Sequence, residues 1–151
     1  MSYIQELAFR IIDVTRRGGF PFEQAPLPIF FLLYTKKAGK LAKLDIHELA
    51  FIYDGERNSD ELILELYGKF LNAVQLNLSG KHMYRELISL LYQYNDNEYQ
   101  KYYCDLVEYM LTHLATYRGR YMGEFMQPAS VTSLVGKIVN EMYPQRIYNP
   151  F

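Results

Sequence analysis

Three histidines, His47, His82 and His113, are the side chains of this chain best suited to metal ligation or to proton transfer near neutral pH. They lie far apart, and His47-Glu48 is followed at position 51 by Phe51, where a zinc-protease helix needs its second histidine. The spacing therefore supports no metal site, and each histidine is expected at the surface or satisfied in the core. Cys104 is the one cysteine, which excludes an internal disulfide and every paired-cysteine zinc motif, and fits a reducing compartment. Gly136-Lys137 lacks the upstream glycine and the following Ser or Thr of a phosphate-binding loop, and no Gly-x-Gly-x-x-Gly occurs. Sequence distance leaves a Ser–His–Asp arrangement open, but no nucleophile elbow is present.

Cations are grouped more suggestively. Lys36, Lys37, Lys40 and Lys43, with Arg16, Arg17, Arg118 and Arg120, would track DNA phosphates if the helices brought them together. Each cluster also falls where a helix is expected to end, and the negative end of a helix dipole favours cations there, so solvated helix ends are the simpler expectation. The 16 basic and 17 acidic side chains leave a net charge of -1, so only a local patch, not bulk charge, would recruit nucleic acid. Tyr99, Tyr102 and Tyr103 carry rings that stack on bases in other proteins, yet their helical spacing points to core packing.

The elements that would position these residues are read from periodicity. With 151 residues and 50% hydrophobic content, the chain is long enough to bury a core without metal or disulfide. Ile4, Leu7, Ala8, Ile11 and Ile12 recur at helical spacing up to Arg16-Arg17-Gly18-Gly19, where glycine suits a left-handed cap. Residues 20–28 read as a proline-containing aromatic loop, and Ile29 to Tyr34 as a buried helix closed by the lysines. Asp45 and Glu48 resemble a capping pair before a short helix through Tyr53, broken at Asp54-Gly55.

Ser59-Asp60-Glu61 opens the next helix, with Leu62, Ile63, Leu66, Tyr67, Phe70, Leu71 and Val74 facing inward and Ser79-Gly80 ending it. Tyr84, Leu87, Ile88, Leu91 and Tyr92 form another stripe up to the turn Asn95-Asp96-Asn97. A third carries Tyr99, Tyr102, Tyr103, Leu106, Met110, Leu114 and Tyr117, giving three antiparallel candidates in succession. The last helix has Val131, Leu134, Val135, Ile138, Val139 and Met142 on one face, which requires a partner surface. Arg146-Ile147-Tyr148 reads as a short strand stopped at Asn149-Pro150.

The first residues carry their positive charges after the apolar ones, the reverse of a secretory signal, and no apolar run approaches the roughly 20 residues of a membrane span. A cytoplasmic protein without membrane contact is the expectation.

Gly123-Glu124-Phe125-Met126-Gln127-Pro128, the apolar helix after it, and Arg146-Ile147-Tyr148-Asn149-Pro150-Phe151 together resemble the adenine-specific DNA methyltransferases, in particular the modification subunit of type I restriction systems. In that family a Gly-x-(Phe/Tyr)-(Phe/Tyr)-Thr-Pro segment caps a helix, and a strand of the form (Ile/Val)-(Tyr/Leu)-Asp-Pro-x-x-Gly-x-Gly follows. Gly123, Phe125 and Pro128 match the first pattern; Ile147, Tyr148, Pro150 and Phe151 match the start of the second. Gln127 stands in place of Thr, a poorer helix cap, and Asn149 in place of Asp, which removes a negative charge. A rival alignment takes Asn149-Pro150-Phe151 as the catalytic Asn-Pro-Pro-(Tyr/Phe) motif that holds the target adenine. One proline is missing from it, and the spacing after the first segment favours the strand.

The resemblance implies an all-α, bundle-like N-terminal domain, residues 1–122, and then the beginning of a doubly wound methyltransferase domain, residues 123–151. It places Phe125, Gln127 and Pro128 beside the methionine moiety of S-adenosylmethionine, where the N–H groups behind a helix-opening proline suit a carboxylate. Asn149, Pro150 and Phe151 would border the cofactor turn. It makes DNA, a specificity subunit and a second modification subunit the partners of the helical region. The glycine-rich turn and the catalytic motif would lie beyond Phe151, so this chain is expected to be a fragment that binds no cofactor and methylates nothing alone, and either to dimerise through its open face or to show a disordered tail after Pro144. The alternative, from another class, is an all-helical interaction or adaptor protein without a catalytic role.

Overall fold

A computed structural model describes residues 2–49, 61–75, 78–118 and 129–142. Among these, the chain forms six α-helices and one short 3-10 turn, and no strand. The all-α expectation holds for them, while the strand at Arg146-Ile147-Tyr148 and the boundary at Met122 fall outside the described residues.

Helix α1 (Tyr3–Arg17) starts in a reciprocal cap. Gln5 N–H donates to Ser2 Oγ at 3.3 Å, and Ser2 N–H donates to Gln5 Oε1 at 3.2 Å, so two otherwise unpaired backbone donors are satisfied. Its apolar stripe is buried at Leu7, Ala8, Ile11 and Ile12, as the spacing predicts. The helix stops at Gly18 and Gly19, the latter at φ +80°, and the Phe20 N–H closes back on the Thr15 carbonyl at 3.0 Å. Only glycine enters that left-handed conformation without a Cβ clash.

Helix α2 (Pro26–Lys37) begins earlier than the sequence suggests, at Pro26 rather than after Pro28. Both prolines fit because N–H groups in the first turn have no intrahelical acceptor to lose. A 3-10 turn, Leu41–Lys43, follows. The expected helix after Asp45 does not form over its described part. Asp45 Oδ1 accepts from the N–H groups of His47 and Glu48 at 2.8 and 2.7 Å, so the cap is made, but Leu49 then turns to φ 57° and is fully buried. The Arg85 guanidinium donates to the Ile46 and His47 carbonyls, taking acceptors that a continuing helix would need. Residues 50–60 of that expectation lie outside the described ones.

Helix α3 (Glu61–Gln75) buries Ile63 and Phe70, with Leu66, Tyr67 and Leu71 half-buried. Helix α4 (Leu78–Tyr92) contains Ser79 and Gly80 in its first turn, so this pair marks a beginning and not the expected end. Ser and Gly are enriched near either helix terminus, and composition alone does not say which. Tyr84, Leu87, Ile88 and Leu91 are buried, whereas Tyr92, counted in the same stripe, is 53% exposed. Asn95 caps α5 (Asp96–Arg118) by accepting from the Asn97 and Glu98 N–H groups. Along α5, Tyr99, Leu106 and Met110 are buried, and Tyr117 is exposed.

The chain divides into two compact units, Met1–His113 and Leu114–Phe151. In the first, α1 runs antiparallel to α4: Arg10 reaches Gln93 and Tyr94, Arg17 reaches Glu86, and Gly18 lies against Met83. Side chains join the start of α5 to the second half of α2, with Tyr99 Oη donating to the Leu33 carbonyl at 2.9 Å and Lys36 meeting Asp96. Where α2, α3 and α4 meet, Phe31, Tyr67, Phe70 and Tyr84 form an aromatic core, with Phe31 and Phe70 ring centres 4.8 Å apart and Phe70 edge-on to Tyr84 at 5.1 Å. Among the described tyrosines, Tyr84 and Tyr99 are buried, whereas Tyr92, Tyr109 and Tyr117 are exposed. Burial pushes the Tyr84 hydroxyl up to about 12 and raises that of Tyr99 further, so both stay neutral hydrogen-bonding groups at physiological pH.

In the second unit, α6 (Ala129–Glu141) shows the predicted apolar face, but the face is exposed: Leu134 at 59%, Ile138 at 51% and Met142 at 73%, with Val131 and Val135 also open.

Candidate functional site

The most chemically organised cluster of the first unit centres on Glu23, in the corner between α1 and α2. Its carboxylate is 1% exposed, and its Oε1 accepts from Arg16 Nη2 at 2.7 Å and meets His113 Nε2 at 2.8 Å. Burial alone would raise this carboxyl, but hydrogen bonds from His113, from its own backbone and from Arg16, with the Arg16 charge, overcome that and hold it below the usual carboxylate range. The neighbouring turn is fixed by Thr15, whose hydroxyl donates to the Ile12 carbonyl and accepts from the Phe22 N–H at 3.0 Å. The Phe22 ring, itself fully buried, lies 6.4 Å from the His113 ring.

A carboxylate aimed at one imidazole nitrogen fixes ring orientation and tautomer, the supporting half of a general-base pair. Neither cavity described below includes His113. Through these contacts the cluster ties α5 to the α1–α2 corner. His113 is satisfied and partly buried, as expected from sequence; the exposed His47 and His82 are not brought to it.

Lys36 forms the second cluster. Its ammonium, 3% exposed, donates to Asp96 Oδ1 at 2.6 Å and to the Tyr94 carbonyl at 3.0 Å, and it stands 5.1 Å from the centre of the Tyr99 ring. A cavity of about 330 Å³ opens beside it, lined by Gly39, Leu41, Tyr92, Tyr94 and Asn95 among others. That volume sits at the lower limit of ligand sites, and the cation at its floor is already neutralised and hydrogen-bonded. A smaller groove, about 200 Å³, lies between α1 and α4. Arg17 is ion-paired there with Asp13 and Glu86 at 2.9 Å each, and the Arg10 guanidinium donates hydrogen bonds to Gln93 and Tyr94.

Of the cations expected to meet DNA, Lys36 is thus committed to the interior. Lys37 Nζ donates to Gln100 Oε1 at 2.5 Å and stands over the Tyr103 ring, and Lys40 and Lys43 are half-buried on the same end of α2 and the following turn. Arg118 is the last residue of α5, and Arg120 lies outside the described residues. Arg16 and Arg17 are taken up by Glu23 and by Asp13 and Glu86. Tyr99 is 1% exposed and unavailable for base stacking. The cofactor positions Phe125, Gln127, Pro128, Asn149, Pro150 and Phe151 all lie outside the described residues.

Sequence reading missed Glu23 as the partner of His113, 90 residues away. The available signal was weak: a lone acid within an aromatic, proline-containing loop.

Among the described residues, no group of three or more His, Cys, Asp or Glu side chains is arranged to hold a metal, and no helix is long and apolar enough to cross a membrane. Against known proteins, the chain matches no protein-family model, no curated sequence and no solved structure.

Proposed function

We propose that this chain is the helical N-terminal region of the modification subunit of a type I restriction system, a docking module for an adenine-specific DNA methyltransferase. The observation that carries the reading is the exposed apolar face of α6, which follows directly on Gly123-Glu124-Phe125-Met126-Gln127-Pro128. A helix that opens a doubly wound domain is built to lie on a sheet, and without that sheet it presents this kind of face to water. The helices among the described residues before Gly123 support the architecture the resemblance implies.

In this reading the first unit is the platform and α6 the connection to the catalytic sheet. DNA contact falls to Lys37, Lys40, Lys43, Arg118 and Arg120, because Lys36 is buried in an ion pair. S-adenosylmethionine would belong to the segments around Pro128 and Pro150, and the docking role does not depend on it.

The gene provides the direct test. Its reading frame beyond codon 151 is expected to encode a Gly-x-Gly turn and, later, Asn/Asp-Pro-Pro-(Tyr/Phe), and the product is expected to transfer methyl groups from S-adenosylmethionine to adenine. A stop codon after Phe151, with α6 instead capturing another protein, would replace this reading with that of a helical adaptor.

A further inference from the structure

We draw no further inference here: the strongest candidate, the exposed apolar face of α6 formed by Val131, Leu134, Val135, Ile138 and Met142, belongs to the surface on which the proposed function already rests, and nothing in the structure shows what else would cover it.

Discussion

Helices α1 and α6 carry the same kind of message in sequence and meet opposite fates. Each has apolar residues at three- and four-residue intervals along one face, yet Leu7, Ala8, Ile11 and Ile12 of α1 are nearly inaccessible, whereas Val131, Leu134, Val135 and Ile138 of α6 are 43–59% exposed. The difference lies in what surrounds the stripe. Arg10 and Arg17 lock α1 to α4 at both ends of their contact, and the aromatic core of α2, α3 and α4 closes the unit. A hydrophobic period specifies that a face must be covered; it carries no information on which surface covers it.

The sharpest way to test this contrast is to remove a large side chain from each region. Phe70→Ala should destabilise the first unit by about 3–5 kcal/mol, since a fully buried ring at the meeting of three helices leaves a cavity that the neighbours cannot refill. Denaturant unfolding followed by circular dichroism would show the midpoint collapse, and an unchanged midpoint would mean that the aromatic cluster is not the core.

Glu23→Gln should cost about 1–3 kcal/mol, because a buried acceptor of two cationic or polar donors is replaced by a neutral amide. Its pH dependence has a definite sign. A carboxyl held below its ordinary value of about 4.3 contributes stability above that pH, and the contribution is lost as pH falls through the lower folded value. Unfolding free energies measured between pH 2 and pH 6 should therefore fall more steeply in the parent than in the Gln variant; parallel curves would show that Glu23 takes no part in the acid transition.

At the α1–α4 crossing, Gly18→Ala would place a Cβ 2.6 Å from Met83 Cγ and 2.7 Å from Met83 Cβ, while the backbone at φ -74° tolerates alanine. The expected loss is about 1–3 kcal/mol from overpacking alone. Pairing it with Met83→Ala should recover part of the loss through the space released, a coupling that a double-mutant cycle would read directly.

The smallest effect on stability is expected in the second region. Ile138→Gln on α6 should change unfolding free energy by no more than about 0.5 kcal/mol, as for other exposed sites, while weakening association with the proposed catalytic sheet. Co-purification of the helical region with a separately expressed catalytic domain would read that loss. Full retention of binding, or a large drop in stability, would contradict the assignment of this face to docking.

Much of the helical layout was legible because its causes are local. The Gly18-Gly19 stop and the turn at Asn95-Asp96-Asn97 act within a few residues, so residue type and spacing mark them; the Ser2–Gln5 capping pair is equally local but was shown only by the structure. Misreadings arose where a local signal had two outcomes. Pro26 and Pro28 could mark a loop or a first helical turn, and Ser79-Gly80 an end or a start. Asp45 and Glu48 read as a capping pair that opens a helix; the Asp45 cap is made, but the helix expected after it yields to a buried Leu49 and to Arg85, which approaches from α4 to bind the turn's carbonyls.

Sequence by itself thus determined the helical class, the amphipathic faces and the absence of an internal disulfide, all of which follow from composition and short-range periodicity. Only the tertiary structure decided that Lys36 belongs to the interior and not to a DNA-facing row, that Glu23 gathers Arg16 and His113, and that the α6 face stays open. Those outcomes depend on residues up to 90 positions apart being brought within 3 Å. The long-range packing that sets such distances is a property of the whole core, and no local pattern encodes it.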